Sequence, residues 1–131
     1  MLPIWEMVFK NAAPGSNLIA TARVKWDLDH QKKLGVETEQ AQGLDPAVER
    51  KIISVCKRTY KALSLSGYAR IDLRLQADGT VYVIEANPNP NLSFGEDFAE
   101  SAEKHGLSYE KVLTKIVSLG LNYQAEWRMN Q

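Results

Sequence analysis

Apolar and polar residues alternate near the amino terminus in two runs. Ile4-Trp5-Glu6-Met7-Val8-Phe9 reads as a strand with Trp5, Met7 and Phe9 on one face. After a turn-rich segment holding Pro14-Gly15, residues 18–26 alternate again. Ala20, Ala22, Val24 and Trp26 share one face, and Thr21, Arg23 and Lys25 share the other. The two runs predict a strand hairpin over residues 1–26. Residues 27–43 are polar and irregular and predict a surface excursion. The period then changes. Asp45 reads as a helix cap with Pro46 at the first helical position, and Val48, Ile52, Val55, Cys56 and Leu63 recur at helical spacing. These signals predict a helix over 45–65, stopped by Gly67.

Two further alternating runs, residues 68–75 and 80–87, flank Asp78-Gly79, a turn pair in which both residues accept positive φ. With Asp78 and Gly79 as the two loop residues, Ala77 faces Thr80. One face then pairs Leu75 with Tyr82, Leu73 with Ile84 and Ile71 with Ala86, and its apolar character predicts burial. The other face opposes Asp72 to Glu85 and Arg70 to Asn87. The run Asn87-Pro88-Asn89-Pro90-Asn91 leads out of the second strand. Ser93-Phe94-Gly95-Glu96 has capping-box spacing, which predicts a short helix ending at Gly106 with its anion-attracting amino terminus at Ser93. A last helix is predicted over 108–119 with Val112, Leu113, Ile116 and Val117 inward, then a frayed tail from Asn122. The expected fold is α/β (α+β), an antiparallel sheet backed by helices. Residues 67–94 form a hairpin and loop, and residues 95–121 form two helices.

The 131 residues suit one domain with a modest core, and a formal net charge of zero offers no footprint for nucleic acid. No apolar run reaches the length of a membrane span, and no signal peptide opens the chain. The cytoplasm is therefore the default address. The single cysteine, Cys56, falls on the apolar helical stripe and reads as core packing.

Opposed side chains across a hairpin have Cβ atoms ~4.5–5.5 Å apart, where like charges repel. A cation resolves that conflict. Two carboxylates and an amide oxygen, from Asp72, Glu85 and Asn87, are hard ligands that suit Mg²⁺ or Mn²⁺ better than zinc. Arg70, on the same face, adds a permanent positive charge for phosphate oxygens. The competing reading is a solvated sheet face on which Arg70 and Arg74 pair with the two carboxylates.

The run Gly67-Tyr-Ala-Arg-Ile-Asp-Leu-Arg, the Asp-Gly turn, and Tyr82-Val-Ile-Glu-Ala-Asn-Pro-Asn-Pro resemble the carboxy-terminal end of ATP-grasp ligases. The D-alanine–D-alanine ligase-like subgroup is the nearest, and the resemblance extends through residues 2–9 and 19–27 upstream and 97–113 downstream. It implies the carboxy-terminal large lobe of an ATP-grasp fold. It also implies ATP as cofactor, with Asp72, Glu85 and Asn87 as metal ligands and Glu85 bridging two Mg²⁺ ions. Arg70 would stabilise the transferring phosphoryl group, Lys25 and more weakly Arg23 would reach the phosphates, and Asn91 and Ser93 would lie toward substrate. The implied reaction is ATP-dependent joining of a carboxylate to an amine through an acylphosphate. Two positions depart from that subgroup. Asn91 stands where glycine is usual, and Glu96 lies near a usual serine and would repel an incoming carboxylate. The amino-terminal domain, glycine-rich flap and adenine hinge of such enzymes have no counterpart in these residues. The alternative is a non-catalytic remnant or excised domain that binds metal weakly and self-associates. Apolar surface on the first strand makes a two-fold homodimer the expected assembly.

Overall fold

The computed structural model describes residues 1–16 and 18–124, so the tail from 125 onward lies outside the described residues. The described chain forms two compact units, residues 3–42 and residues 43 onward with 1 and 2.

In the first unit, β1 (Trp5–Phe9) forms as predicted, but its partner is β2 (Val36–Gln40), with Trp5 opposite Gln40 and Phe9 opposite Val36. The predicted surface excursion therefore supplies the second strand, and residues 1–26 are not a hairpin. Residues 22–26 are not a strand either; they form α1 (Ala22–Trp26), followed by α2 (Leu28–Leu34). Local side-chain bonds explain the reversal. Thr21 Oγ1 accepts from the Val24 N–H at 3.2 Å, and Asp27 Oδ1 accepts from the His30 N–H at 2.9 Å. The Gln31 amide donates to the carbonyls of Val24 and Lys25 at 2.8 and 3.3 Å, satisfying orphan groups of the last turn of α1. Such capping outweighs alternation where no neighbouring strand is present to reward it. Gly35 closes α2 at φ +58, a left-handed conformation that glycine adopts without penalty, and a Cβ there would lie 2.9 Å from Asn11 Nδ2.

The second unit opens with α3 (Pro46–Ala62), capped by Asp45 Oδ1 accepting from the Ala47 N–H. Ile52 is buried, and Val48, Val55 and Cys56 are half-buried along the predicted stripe. Burial pushes the Cys56 thiol pKa up. The helix ends before the predicted Leu65. Ser64 takes φ +49, the Ser64 N–H donates to the Lys61 carbonyl, and the Leu65 N–H donates to the Tyr60 carbonyl, a Schellman closure built on serine. Then come β3 (Arg70–Leu75) and β4 (Val81–Asn87), α4 (Asp97–Lys104) and α5 (Tyr109–Leu121). The tip of the hairpin is tied to α3, where Lys51 Nζ donates to the Gly79 carbonyl at 2.7 Å.

Three expectations for this unit are corrected. The predicted capping box is absent, because α4 begins at Asp97 with Glu96 at the cap position and no side-chain bond from it. The Ser93 backbone carbonyl instead accepts the Glu96 N–H in a preceding turn. On α5 Val112 is buried, but Val117 is 61% exposed and Leu113 is also exposed, so only part of the predicted inward face packs. The apolar hairpin face is also incompletely covered. Ile71, Leu73 and Ala86 are half-buried, whereas Ile84 is 67% exposed.

Candidate functional site

The register of the hairpin decides which side chains meet. The Gln76 N–H donates to the Thr80 carbonyl, and the Gly79 N–H donates to the Gln76 carbonyl, so the loop has three residues, 77–79, with Gly79 at φ +79. That is the turn-plus-left-handed-glycine loop, not the two-residue loop the Asp-Gly pair predicted. Near the turn Leu75 therefore faces Val81 and Leu73 faces Val83, one residue off the predicted pairs. A bulge between Asp72 and Leu73 leaves Ile84 without an opposite number and cancels the slip. Beyond it the predicted pairs return: Ile71 with Ala86, Asp72 with Glu85, and Arg70 with Asn87.

Within this face, the Arg70 guanidinium grips Asp72 with both ends, Nε to Oδ1 at 2.7 Å and Nη2 to Oδ2 at 3.0 Å. Both groups are roughly one-third exposed, so water only partly screens the pair. Donating to Asp72 raises the Arg70 pKa above its ordinary value. Partial burial opposes the rise, and the charges of Asp72, Asp97 and Glu85 add to it. Glu85 is exposed directly opposite Asp72. Arg74 stands opposite Tyr82, beyond the bulge, and is exposed.

The loop leaving β4 is organised by its asparagines. Asn87 Oδ1 accepts from the Asn89 N–H at 2.8 Å, and Asn91 Oδ1 accepts from the Ser93 N–H at 3.0 Å. Each is an Asx turn, and Pro90 between them is buried. An amide oxygen has two acceptor sites, so Asn87 retains one for a cation. Asn91 and Ser93 are exposed and shape the turn toward α4.

The remaining predicted residues, Arg23 and Lys25, lie in the other unit on α1, not on a strand, and both are exposed. Arg23 Nε donates to Asp27 Oδ2 at 3.4 Å. Sequence reasoning passed over Asp97 as a site residue. Its signal is tertiary: Phe98, its neighbour, packs edge-on against Tyr68 with ring centroids 5.8 Å apart, which docks the first turn of α4 beside the start of β3.

The donor set of Asp72, Glu85 and Asn87 consists of hard oxygens at one end of one hairpin, and more carboxylates act on Arg70 than its single charge offsets. Those features fit Mg²⁺ or Mn²⁺. Among the described residues no group of three or more His, Cys, Asp and Glu side chains forms an all-protein metal cage. The match to this ion type therefore requires further oxygens, such as water or phosphate, to complete the shell.

Comparison with known proteins gives a consistent pattern. Residues 17–118 match the family model described as D-ala D-ala ligase C-terminus. A D-alanine–D-alanine ligase of Cupriavidus necator is 32% identical over 106 residues, 76% of this chain and 32% of that protein. Another, from Haemophilus influenzae, is 35% identical over 79 residues, 60% of this chain and 27% of that protein. Among solved structures, a D-alanine–D-alanine ligase of Bacillus anthracis complexed with ATP superposes with a TM-score of 0.61. It is 30% identical and covers 65% of this chain and 29% of its own. A second structure of a ligase from that organism has a TM-score of 0.67 over 92% of this chain and 35% of its own. At 24% identity, that second likeness speaks to the fold alone. The chain spans about a third of the length of the relatives it matches.

Proposed function

The chain belongs to the D-alanine–D-alanine ligase carboxy-terminal family of ATP-grasp ligases, and from that membership we propose that it is the phosphate-handling part of an ATP- and Mg²⁺-dependent carboxylate–amine ligase. The observation that carries this reading is the register: Asp72 opposes Glu85, and Arg70 opposes Asn87, at the end of the hairpin that leads into the Asx-turn loop. The relative solved with ATP supports nucleotide use.

In this reading Asp72, Glu85 and Asn87 hold Mg²⁺ or Mn²⁺, and the ion when bound neutralises charge on the β- and γ-phosphate oxygens. Arg70 offers a planar pair of donors to the transferring phosphoryl group, for which a guanidinium fork is well matched. The γ-phosphoryl group passes from ATP to a substrate carboxylate, releasing ADP. The amine nitrogen then attacks the acyl carbon, the C–O bond to phosphate breaks, and inorganic phosphate leaves with the proton taken by solvent. Asn91 and Ser93 shape the loop toward substrate. Exposed Glu96 disfavours an amine substrate that presents a carboxylate there.

The test is Mn²⁺ titration followed by thermal unfolding. The unaltered chain is expected to gain stability with Mn²⁺, and Glu85→Gln and Asp72→Asn are expected to gain less. Equal gains in all three would defeat the site. ADP release measured on the same chain is expected to be negligible, because positioning by the remaining two-thirds of such an enzyme accounts for much of the rate. Bidentate capture of Asp72 by Arg70 favours a second reading, a non-catalytic domain in which the carboxylates serve only the sheet. Under it Mn²⁺ leaves the melting curve of every variant unchanged.

A further inference from the structure

Arg70 and a divalent cation compete for Asp72. Nε and Nη2 of Arg70 engage both carboxylate oxygens of Asp72 at 2.7 and 3.0 Å. An oxygen that ligates a cation while accepting a hydrogen bond from a cationic guanidinium places two positive groups at close range. A carboxylate shared with the metal therefore loosens its hold on the arginine. A half-buried guanidinium set loose without a partner is itself unfavourable.

The fold supplies a second partner. Asp97 is the first residue of α4 and is half-buried. The edge-on packing of Phe98 against Tyr68 anchors that turn beside the strand that carries Arg70 two residues later. The charge of Asp97 acts on Arg70 alongside those of Asp72 and Glu85. Glu85 is no substitute, because as a proposed ligand it is engaged by the same cation.

We propose that Asp97 is a positioning residue, the carboxylate that receives Arg70 when a divalent cation takes Asp72. The Arg70–Asp72 pair is then the resting arrangement of the site, and the exchange of partners couples cation arrival to the presentation of Arg70 toward phosphate. This inference rests on the metal reading above.

The experiment measures Mn²⁺ binding to the 131-residue chain from the resonance of free Mn²⁺, for the unaltered protein, D97N, D97E, R70Q, the R70Q/D97N double variant and E85Q. D97N is expected to weaken binding about three- to tenfold, and D97E is expected to restore most of it. R70Q is expected to bind Mn²⁺ more tightly than the unaltered chain, and in that background D97N loses most of its effect. An equal D97N effect in both backgrounds would mean that Asp97 acts only as a distant charge, and the proposal fails. Unchanged binding in D97N also overturns it, even where E85Q abolishes binding and so upholds the metal site. If E85Q binds Mn²⁺ as well as the unaltered chain, the metal reading fails and the partner exchange fails with it. Far-UV circular dichroism confirms that each variant retains its helices, and D97E keeps the comparison decisive if D97N loses α4.

Discussion

At the residue scale the local chemistry of this protein is dominated by aspartates and asparagines that bond to nearby backbone. Asp27 accepts the His30 N–H between two helices, and Asp78 accepts the Thr80 N–H at 2.8 Å in the hairpin loop. These backbone donors hold both carboxyls below the ordinary value of 3.8. Because the folded pKa is depressed, the stabilisation is present above the unfolded value and is lost as pH falls through the lower folded one. An NMR titration of the side-chain carboxyl carbons is therefore expected to place both midpoints below 3.8. A midpoint at or above that value would show that these turns do not hold in solution. At the site, the Arg70–Asp72 pair was one of two sequence readings, and the other was a cation. The structure shows the pair and leaves Glu85 exposed opposite Asp72.

At the level of elements, the ends of helices are where side chains decide the outcome. The closure of α3 places Ser64, a residue with a Cβ, at φ +49. Glycine carries no such steric penalty, so Ser64→Gly is expected to stabilise the chain by about 1 kcal/mol. Urea denaturation measures it, and a loss of stability would show that the Ser64 side chain does more than tolerate the turn. The hairpin makes the complementary point. On it Ile84 is exposed, whereas Ile52 on α3 is 5% exposed. Ile52→Ala is expected to cost about 2–4 kcal/mol, and Ile84→Thr within about 0.5 kcal/mol. Comparable losses from the two would restore the buried hairpin face that alternation predicted.

Over the whole molecule, little of the apolar surface is fully covered. Val24, Ile52, Ala99, Ala102 and Val112 are the buried hydrophobic residues among those described, and none of the large side chains is completely enclosed. In the second unit Tyr82, Ile84, Phe94, Val117 and Leu121 are more than half exposed, and in the first unit Trp26 and Leu28 are as well. Apolar side chains in that number favour association. Sedimentation velocity across a concentration series is expected to show self-association, with a two-fold homodimer as the simplest product. A monomer that persists at high concentration would refute it. No helix among the described residues is long and apolar enough to cross a membrane.

The sequence by itself determined those parts whose causes are local or pairwise. Asp45-Pro46 starts α3 because an N-cap and a proline at the next position act within one turn. The Asp-Gly pair brings residues 70–75 and 81–87 together, but Asp72 meets Glu85 only because the bulge offsets the longer loop. The motif across that hairpin was also enough to indicate the family. What alternation could not reveal was whether a partner strand existed to reward it. Residues 22–26 alternate yet form a helix, because Thr21 and Gln31 satisfy its ends. Val36–Gln40, polar and unremarked, became a strand because β1 lay opposite. Tertiary structure alone decided two further matters: the compensating bulge at Ile84 and the place of Asp97. Each depends on atoms brought together from separate segments. Aspartate at position 97 carries no sign in the sequence that the packing of Phe98 on Tyr68 would let its charge act on Arg70.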